Sequence, residues 1–457
     1  MKQAVQKQKL DMLNGPLWNK IPQFALPVAA TAILEQLFNA SDIAVVGNFS
    51  GAASTIAVAA VGANSFVISL VVNFFIGIAL GANVVIANAI GREDTDAVHR
   101  AVHTAVVVAV LGGALVTVLG ELAAGPALRA LNVPAEVLPY ALLYLRIYLL
   151  GVPVILLYNF EAAIFRSVGD TRVPLQTLAF SGVLNVLLNL FFVIVLHMTV
   201  NGVATATVLS NAISSVLLFV RLRRSDKAIH LEWAELRIDR RSLQKILQIG
   251  IPAGIQSAVF SISNIVIQSA INSLGTVVMA ASSAAFNIEV VAYDVLNSFS
   301  QACTTFVGQN YGAGKLDRCR KTLVLCLVED ALASGIAILL VLGSGHFLLS
   351  LFNRDPEVIA LGYTRLMTVF TAYFFSMLYE VMSGYLRGFG ISLVPALLTM
   401  LGVCGVRILW IATAFPRSRT FQTILLAYPL SLAATAVLIL LALLIYHPSR
   451  RTKGEAV

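Results

Sequence analysis

The feature that most constrains this chain is a succession of twelve long apolar runs separated by short polar or charged connections. A helix needs about 20 apolar residues to cross the hydrocarbon core of a bilayer. Backbone polar groups inside a bilayer must be satisfied within their own segment, so each run is predicted to be a helix. The predicted spans are 21–46, 55–88, 100–123, 138–162, 174–197, 202–220, 244–272, 277–308, 322–345, 358–384, 392–415 and 421–446.

The composition supports an all-α integral membrane protein. Charged residues make up 12% of the chain, against about 25% in soluble globular proteins. The alternating pattern of membrane β-strands is absent from the sequence. The net charge of +8 comes from Lys and Arg placed between the apolar runs, with no basic patch interleaved with aromatics. The expected surroundings are therefore a lipid bilayer, and nucleic acid is not an expected partner.

Basic residues concentrate on alternate connections. Cytoplasmic connections of membrane proteins carry the excess of Lys and Arg. This rule predicts that both termini and the 221–245 connection lie in the cytoplasm, which requires an even number of spans. The basic set consists of Lys2, Lys7, Lys9, Lys20, Arg92, Arg100, Arg166, Arg172, Arg221, Arg223, Arg224, Lys227, Arg237, Arg240, Arg241, Lys245, Lys315, Arg318, Arg320, Lys321, Arg387, Arg450, Arg451 and Lys453.

An internal repeat divides the chain into similar halves. One alignment of the halves places Arg166, Gly169 and Pro174 on Arg387, Gly390 and Pro395, and another places the run 21–27 on 246–252. Six-helix repeats share one orientation, so a pseudo-twofold axis along the membrane normal is expected. The predicted domains are an N-terminal bundle over 1–220, a cytoplasmic linker over 221–243, and a C-terminal bundle with a short basic tail over 244–457.

Several local motifs are typical of one transporter family. They are GPLWNKI at 15–21, NASDIAVVG at 39–47, AAVG at 59–62, RSVGDTRVP at 166–174 and VGQNYGAG at 307–314. With these motifs the chain resembles, over nearly its whole length, the multidrug and toxic compound extrusion (MATE) family. The resemblance is nearer to the DinF-like branch than to the NorM-like branch, whose acids in the seventh, eighth and tenth spans are matched incompletely here.

This resemblance implies a secondary active antiporter. Such proteins export small organic cations and other amphipathic compounds in exchange for H⁺ or Na⁺, by alternating access of two helical bundles. It implies the inner membrane of a prokaryote, a monomer, and no cofactor beyond the coupling ion. A flippase for lipid-linked substrates is the alternative, and would require a cationic cavity. The sequence contains no Walker, HExxH or GxSxG motif, so no enzyme is predicted.

Asp42 is the leading candidate for ion coupling. It lies in the first span without a Lys or Arg nearby in that span, and burial of a carboxyl group favours its protonated form. The resemblance implies a polar network around it, and Asn189 stands where many relatives have Asp, which favours H⁺ over Na⁺ at Asp42. The alternative is a carboxylate at a helix end, with Asn and Thr acting as interhelical contacts. The remaining predicted members are Asn159, Asn185, Thr205 and Thr207.

A second group of polar residues is predicted to contact cationic substrates. An ionised side chain at the bilayer centre costs about 2.5–3.5 kcal/mol or more, so each one requires a reason. The group comprises Glu35, Gln256, Glu289, Asp294 and Glu380; the alternative for the acids of the second half is pairing with Arg365 or Arg407. Glu329 and Asp330 follow a cytoplasmic stretch and are expected to be solvated.

Pro27 is the predicted hinge of the first span. A proline inside a helix removes one backbone hydrogen bond and permits bending. In the family, the first helix bends when its acid is protonated, and the alternative is a static kink. Pro252 occupies the equivalent position of the second half.

Overall fold

The structure is a computed structural model that describes residues 10–51, 54–131, 133–225 and 229–448. These residues contain twelve helices that are long and apolar enough to cross a membrane. They are α1 (Lys20–Phe49), α2 (Ser54–Gly91), α3 (Thr95–Ala130), α4 (Leu138–Ser167), α5 (Arg172–Val195), α6 (Val200–Arg223), α7 (Arg240–Asn272), α8 (Thr276–Gly312), α9 (Leu316–Ser350), α10 (Pro356–Gly388), α11 (Leu393–Thr413) and α12 (Phe421–Tyr446). The predicted all-α membrane architecture of twelve spans is confirmed.

Most of the helices are longer than the apolar runs that predicted them. The ninth span, predicted over 322–345, belongs to a helix that begins at Leu316 and ends at Ser350. An apolar run marks only the part of a helix that matches the hydrocarbon core, whereas hydrogen bonding continues into the polar interface. The same reasoning applies to α2, which begins at Ser54 and ends at Gly91.

Local chemistry explains several helix ends. Asp94 caps α3 by accepting a hydrogen bond from the Ala97 amide at 2.9 Å, and Asp355 caps α10 with Pro356 at the first position of the helix. Such side-chain acceptors satisfy amides that have no partner within the helix. Charged and polar residues thus set the boundaries that hydropathy leaves approximate.

Two spans contain irregular turns that the sequence did not predict. A π-helical segment, Phe191–Val195, ends α5, and a second, Met400–Gly405, lies inside α11. These spans occupy the fifth and eleventh places in the chain, and therefore corresponding places in the two halves. Single π-helical turns are rare and frequently occur at functional sites.

Equivalent turns follow α4 and α10. The amide of Gly169 donates to the Arg166 carbonyl oxygen at 2.9 Å, and that of Gly390 donates to the Arg387 carbonyl oxygen at 2.8 Å. Their φ angles are 83° and 84°, in the left-handed region that glycine adopts without strain. The two halves therefore share both the sequence and the backbone conformation of this turn.

The chain forms two compact units whose boundaries differ from the division predicted from the repeat. Unit 1 contains Ala30–Gly254, and unit 2 contains Leu10–Ala29 together with the chain from Ile255 onward. Both boundaries follow the repeat-related prolines, Pro27 and Pro252, by two residues. Each unit therefore includes the opening segment of the first helix of the other half. The N-terminal residues 1–9 and the basic tail from 449 lie outside the described residues.

In unit 1, the opening segment of α7 packs backbone-to-backbone on α2. A Cβ atom at Gly77 would lie 2.3 Å from the Gly254 nitrogen, and one at Gly250 would lie 2.5 Å from the Ile78 Cα. Glycines spaced four residues apart, such as Gly77 and Gly81, allow helix backbones to approach this closely in membranes. This contact leaves no room for side chains.

In unit 2, residues 10–29 are held by side chains. Phe24 packs edge-on against Phe306 of α8, with ring centroids 5.9 Å apart. Asn310 donates a hydrogen bond to the Met12 carbonyl oxygen at 3.2 Å, and Arg318 of α9 donates to the Gly15 carbonyl oxygen at 2.8 Å. The segment before α1 is therefore an ordered part of unit 2.

Candidate functional site

Asp42 lies in α1 of unit 1, with 5% of its surface exposed. Its two carboxylate oxygens accept hydrogen bonds from different helices. Asn189 of α5 donates to Oδ1 at 2.6 Å, and Thr207 of α6 donates to Oδ2 at 2.9 Å. Within the described part of the chain, Asp42 forms no ion pair. A buried acid with only neutral donors can be neutralised by a proton or a small cation without competition from a permanent positive charge.

Asn189 connects Asp42 to Asn185. Its Nδ2 atom donates to Asn185 Oδ1 at 3.2 Å as well as to Asp42. Its Oδ1 atom is buried and has no hydrogen-bond partner among the described residues, although most buried polar atoms in proteins have one. The site therefore offers a carboxylate and a spare amide oxygen, which are oxygen donors of the kind that hard cations prefer.

Thr207 has two acceptors for one hydroxyl hydrogen. Its Oγ1 atom lies 2.9 Å from Asp42 Oδ2 and 3.0 Å from the Val203 carbonyl oxygen. A hydroxyl group donates one hydrogen and can accept others. Thr207 can therefore donate to an ionised Asp42, or accept from a protonated Asp42 while donating to Val203.

Two predicted members of the network bond to their own helices instead. Thr205 donates to the Asn201 carbonyl oxygen at 2.7 Å, and Asn159 donates to the Ile155 carbonyl oxygen at 2.9 Å. Neither forms a hydrogen bond with Asp42 in the described structure. Two tyrosines that were not predicted from the sequence, Tyr144 and Tyr148 of α4, lie within electrostatic range of Asp42.

Glu35 is half-buried on α1. It lies within electrostatic range of Arg166, and Tyr158 interacts with both groups. The Arg166 guanidinium thus reduces the negative potential that Glu35 would present to a cation. A second acid of this unit, Glu161, is fully buried and accepts a hydrogen bond from Ser215 at 3.0 Å.

Glu289 of α8 pairs with Arg365 of α10. Arg365 donates from Nε and Nη2 to the two carboxylate oxygens, at 2.6 and 2.9 Å, and both side chains are almost completely buried. Arg365 also donates to Ser282 and Tyr428. This pairing is the alternative predicted from the sequence for the acids of the second half. Both oxygens of Glu289 are engaged, which argues against contact with a cationic substrate.

The other predicted substrate contacts of unit 2 have separate surroundings. Glu380 of α10 accepts a hydrogen bond from Tyr293 at 3.1 Å. Gln256 of α7 accepts from Arg387 at 2.9 Å, and Asp294 of α8 is half-buried. Unlike Glu289, Glu380 forms no ion pair among the described residues.

The solvated state expected for Asp330 is wrong. Asp330 is fully buried in α9. It accepts a hydrogen bond from Ser334 at 2.6 Å and interacts electrostatically with Glu380, whereas Glu329 is only partly buried. Successive helical residues point in directions about 100° apart, so neighbouring acids have different surroundings. Their position after a cytoplasmic stretch did not indicate which one faces inward.

Arg407 of α11 is a buried cation held by neutral groups. It donates to Ser431 at 3.0 Å and to Asn264 at 3.4 Å. Its guanidinium lies 4.5 Å from the ring centroid of Tyr428 and 5.4 Å from that of Phe260. Cation–π contacts of this kind partly replace lost hydration. The alternative pairing of a substrate-contacting acid with Arg407 is not seen among the described residues.

Comparisons with known proteins agree with this architecture. The chain is 26% identical over 401 residues to the probable multidrug resistance protein YoeA of Bacillus subtilis, covering 86% of each chain. It is 26% identical over 445 residues to the probable multidrug resistance protein NorM of Thermotoga maritima, covering 95% of this chain and 93% of that one. A solved structure described as an outward-facing conformation of a multidrug resistance MATE family transporter of the MOP superfamily superimposes with a TM-score of 0.89.

That structure is 19% identical and covers 98% of this chain and 99% of its own, so its likeness shows the fold. The MatE family profile matches residues 27–191 and 252–412, more than two thirds of the sequence. The two matched regions correspond to the two repeats, and the first one includes Asp42 and Asn189. On the fold and on this match, the chain belongs to the MatE family of membrane transporters and is not an enzyme.

Proposed function

We propose that this protein is a multidrug efflux antiporter that exports cationic and amphipathic organic compounds in exchange for H⁺. Na⁺ at Asp42 is the alternative coupling ion. The observation that carries the proposal is the Asp42 carboxylate, buried in a membrane helix and held by neutral donors alone. The names of the relatives support the substrate class, since YoeA and NorM are described as probable multidrug resistance proteins. The flippase alternative has no support in these comparisons.

The hydrogen bonds at Asp42 suit both of its charge states. In the ionised state, Asn189 and Thr207 each donate to one oxygen. In the protonated state, the carboxyl hydrogen on Oδ2 is donated to Thr207 Oγ1, and the threonine hydrogen turns to the Val203 carbonyl oxygen. Because no donor is left without an acceptor, the proton can be loaded and released with little rearrangement of the helices.

Proton binding supplies a driving force for the export of a cation. Moving one charge through a membrane potential of 100 mV is worth about 2.3 kcal/mol. Asp42 has one negative charge for a proton or for a cationic compound, so each ligand weakens the attraction of the other. H⁺ is favoured over Na⁺ because Asn189 in place of a second carboxylate leaves fewer anionic oxygen ligands for a metal cation.

The fold suggests how this exchange couples to movement. Pro27 lies near the end of the α1 segment that belongs to unit 2, and Asp42 lies in the part that belongs to unit 1. A bend at Pro27 would change the direction of the part of α1 that carries Asp42 relative to the part that precedes Pro27. The hinge at Pro27 is the central element of this proposal. A DinF-like arrangement is favoured over a NorM-like one because Asp42 lies in the first helix. In the proposed orientation, both termini lie in the cytoplasm of a prokaryote. The transporter is proposed to work as a monomer.

The deciding experiment is export of a fluorescent organic cation by reconstituted protein under separately imposed proton and sodium gradients. Wild type, Asp42→Asn and Thr207→Val are compared at equal amounts, with Glu121→Gln as the control. Glu121 is an acid of α3 in the same unit, but it is ion-paired with Arg146 at 3.5 Å. We expect proton-driven export by wild type and Glu121→Gln, loss in Asp42→Asn, and strong reduction in Thr207→Val.

Two results would contradict the proposal. Undiminished export by Asp42→Asn would remove Asp42 from the coupling mechanism. Export driven by a sodium gradient alone would replace H⁺ by Na⁺ as the coupling ion. Thr207→Ser retains the hydroxyl, so it is expected to export like wild type if the role of Thr207 is its hydrogen bonds rather than its packing.

A further inference from the structure

Two histidines of α3 converge with a glutamate of the segment that joins α6 to α7. His99 and His103 are four residues apart and therefore share one helix face. Glu235 ends a short 3₁₀ turn, Trp233–Glu235. One ring nitrogen of each histidine and one carboxylate oxygen of Glu235 all lie within 4.8 Å of one another. His99 Nε2 lies 3.1 Å from Glu235 Oε2.

The ring of His103 is oriented for coordination. Its Nδ1 atom lies 2.8 Å from the His99 carbonyl oxygen and donates a hydrogen to it. The other nitrogen, Nε2, therefore carries the lone pair, and it accepts a hydrogen bond from the Glu232 amide at 3.1 Å. Metal-binding histidines are commonly fixed by such a bond from their second nitrogen to a carbonyl group. Since His103 is only 1% exposed, its ring cannot easily take another orientation.

We propose that His99, His103 and Glu235 bind a divalent transition-metal ion, with Zn²⁺ as the best fit. Two imidazoles and a carboxylate form a common three-ligand zinc set, with a fourth position open to water. Zinc–nitrogen bonds of about 2.0–2.1 Å require ligand atoms about 3.4 Å apart. The partly exposed side chains of His99 and Glu235 can make the small movement that this spacing requires.

The sequence of this site indicates binding without hydrolysis. Histidines four residues apart on a helix also bind zinc in HExxH peptidases, where a Glu after the first histidine acts as the base. Here Arg100 follows His99, and a cation cannot take the proton of a zinc-bound water. The metal therefore has a structural or regulatory role in this protein.

A bound ion would fasten the joining segment to α3. Two hydrogen bonds already do so, from the Glu232 amide to His103 and from the Asp239 amide to Thr104 at 3.0 Å. Metal coordination would replace the hydrogen bond from the Glu232 amide to His103, because Nε2 of His103 would bind the ion instead. The carboxylate of Glu235 would bind the same ion, so two metal bonds would take the place of that hydrogen bond. Metal concentration would then control how firmly this segment is held in unit 1.

The experiment uses the purified full chain without a polyhistidine tag. Zn²⁺ is titrated in competition with a chromophoric chelator, for wild type, His99→Asn and Glu235→Gln. The control is His230→Asn, a histidine of the same joining segment that is outside the three-residue site. We expect one Zn²⁺ per wild-type chain, affinity at least about tenfold lower in the two site variants, and unchanged affinity in the control.

Limited trypsin digestion supplies a second readout. Arg237 is exposed within the joining segment, so Zn²⁺ should slow cleavage there in wild type and in His230→Asn but not in Glu235→Gln. Thermal unfolding in a metal chelator checks that the variants are folded. If His99→Asn does not fold, the exposed Glu235 decides the outcome. Absence of saturable binding by wild type, or equal affinity in Glu235→Gln and wild type, would overturn the proposal.

Discussion

The ion pair of Glu289 and Arg365 allows a quantitative test of how unit 2 is stabilised. Glu289→Gln keeps the shape of the side chain but removes its charge. The side chains of Arg365 and Glu289 are only 2% and 4% exposed, so the guanidinium would remain buried without a carboxylate. Removing one partner of a buried ion pair costs about 3–5 kcal/mol, because an uncompensated charge remains.

The expected change is a large fall in the melting temperature. For about 150–250 residues, 1 kcal/mol corresponds to roughly 2–4 °C, so Glu289→Gln should lower the melting temperature by roughly 6–20 °C. The measurement is thermal unfolding of purified full chain in detergent, followed by tryptophan fluorescence. The control is Glu380→Gln, the same change at an acid that is 4% exposed but receives its described hydrogen bond from the neutral Tyr293. Its loss should be about 1 kcal/mol.

A double variant separates the pair from the individual side chains. Glu289→Leu with Arg365→Met removes both charges, and buried pairs replaced by apolar residues are often neutral in stability. We expect the double variant to be more stable than Glu289→Gln. The reasoning is refuted if Glu289→Gln loses no more stability than Glu380→Gln, or if the double variant is the least stable of the three.

Three further predictions concern glycines of α7 and α9, the Asp42 network, and Asp239 of the joining segment. Gly254→Ala should destabilise the protein, because a Cβ atom there would lie 2.5 Å from the Phe74 carbonyl oxygen. Gly343 lies in open space, so Gly343→Ala should stabilise α9 by about 0.5–1 kcal/mol. Melting temperatures that shift in the same direction for both variants would contradict this prediction. Asn189→Ala should reduce export by about tenfold or more, since hydrogen bonds to charged groups contribute about 1.5–3 kcal/mol. Asn159→Ala should have little effect, because Asn159 bonds to its own helix. Equal losses of export in the two variants would count against the network around Asp42. Hydrogen bonds from Ser242 lower the pKa of Asp239. The stabilising effect of Asp239 is therefore present above its unfolded pKa of about 4 and is lost as the pH falls through the lower folded pKa. Asp239→Asn should show a smaller fall in melting temperature on acidification than wild type, and an identical fall would exclude this role.

The sequence alone determined the parts of this protein that depend on local chemistry. The apolar runs predicted all twelve spans because a bilayer forces every spanning backbone to satisfy its own hydrogen bonds. The internal repeat could be recognised at Gly169 and Gly390 because the left-handed backbone at both positions favours glycine. Asp42 could be selected because a charge in an apolar run is costly wherever the run is placed.

The tertiary structure alone decided which of these residues meet. Thr205 and Thr207 are equally polar and only two positions apart, but helix rotation directs Thr207 to Asp42 and leaves Thr205 bonded to its own backbone. Glu289 and Glu380 are both acids of apolar runs, and only the packing of α8 on α10 brings Arg365 to Glu289. The assignment of residues 10–29 to unit 2 likewise depends on contacts far apart in the chain. Hydropathy reports the solvent preference of a segment, whereas the rotation and packing of helices set the partner of each side chain.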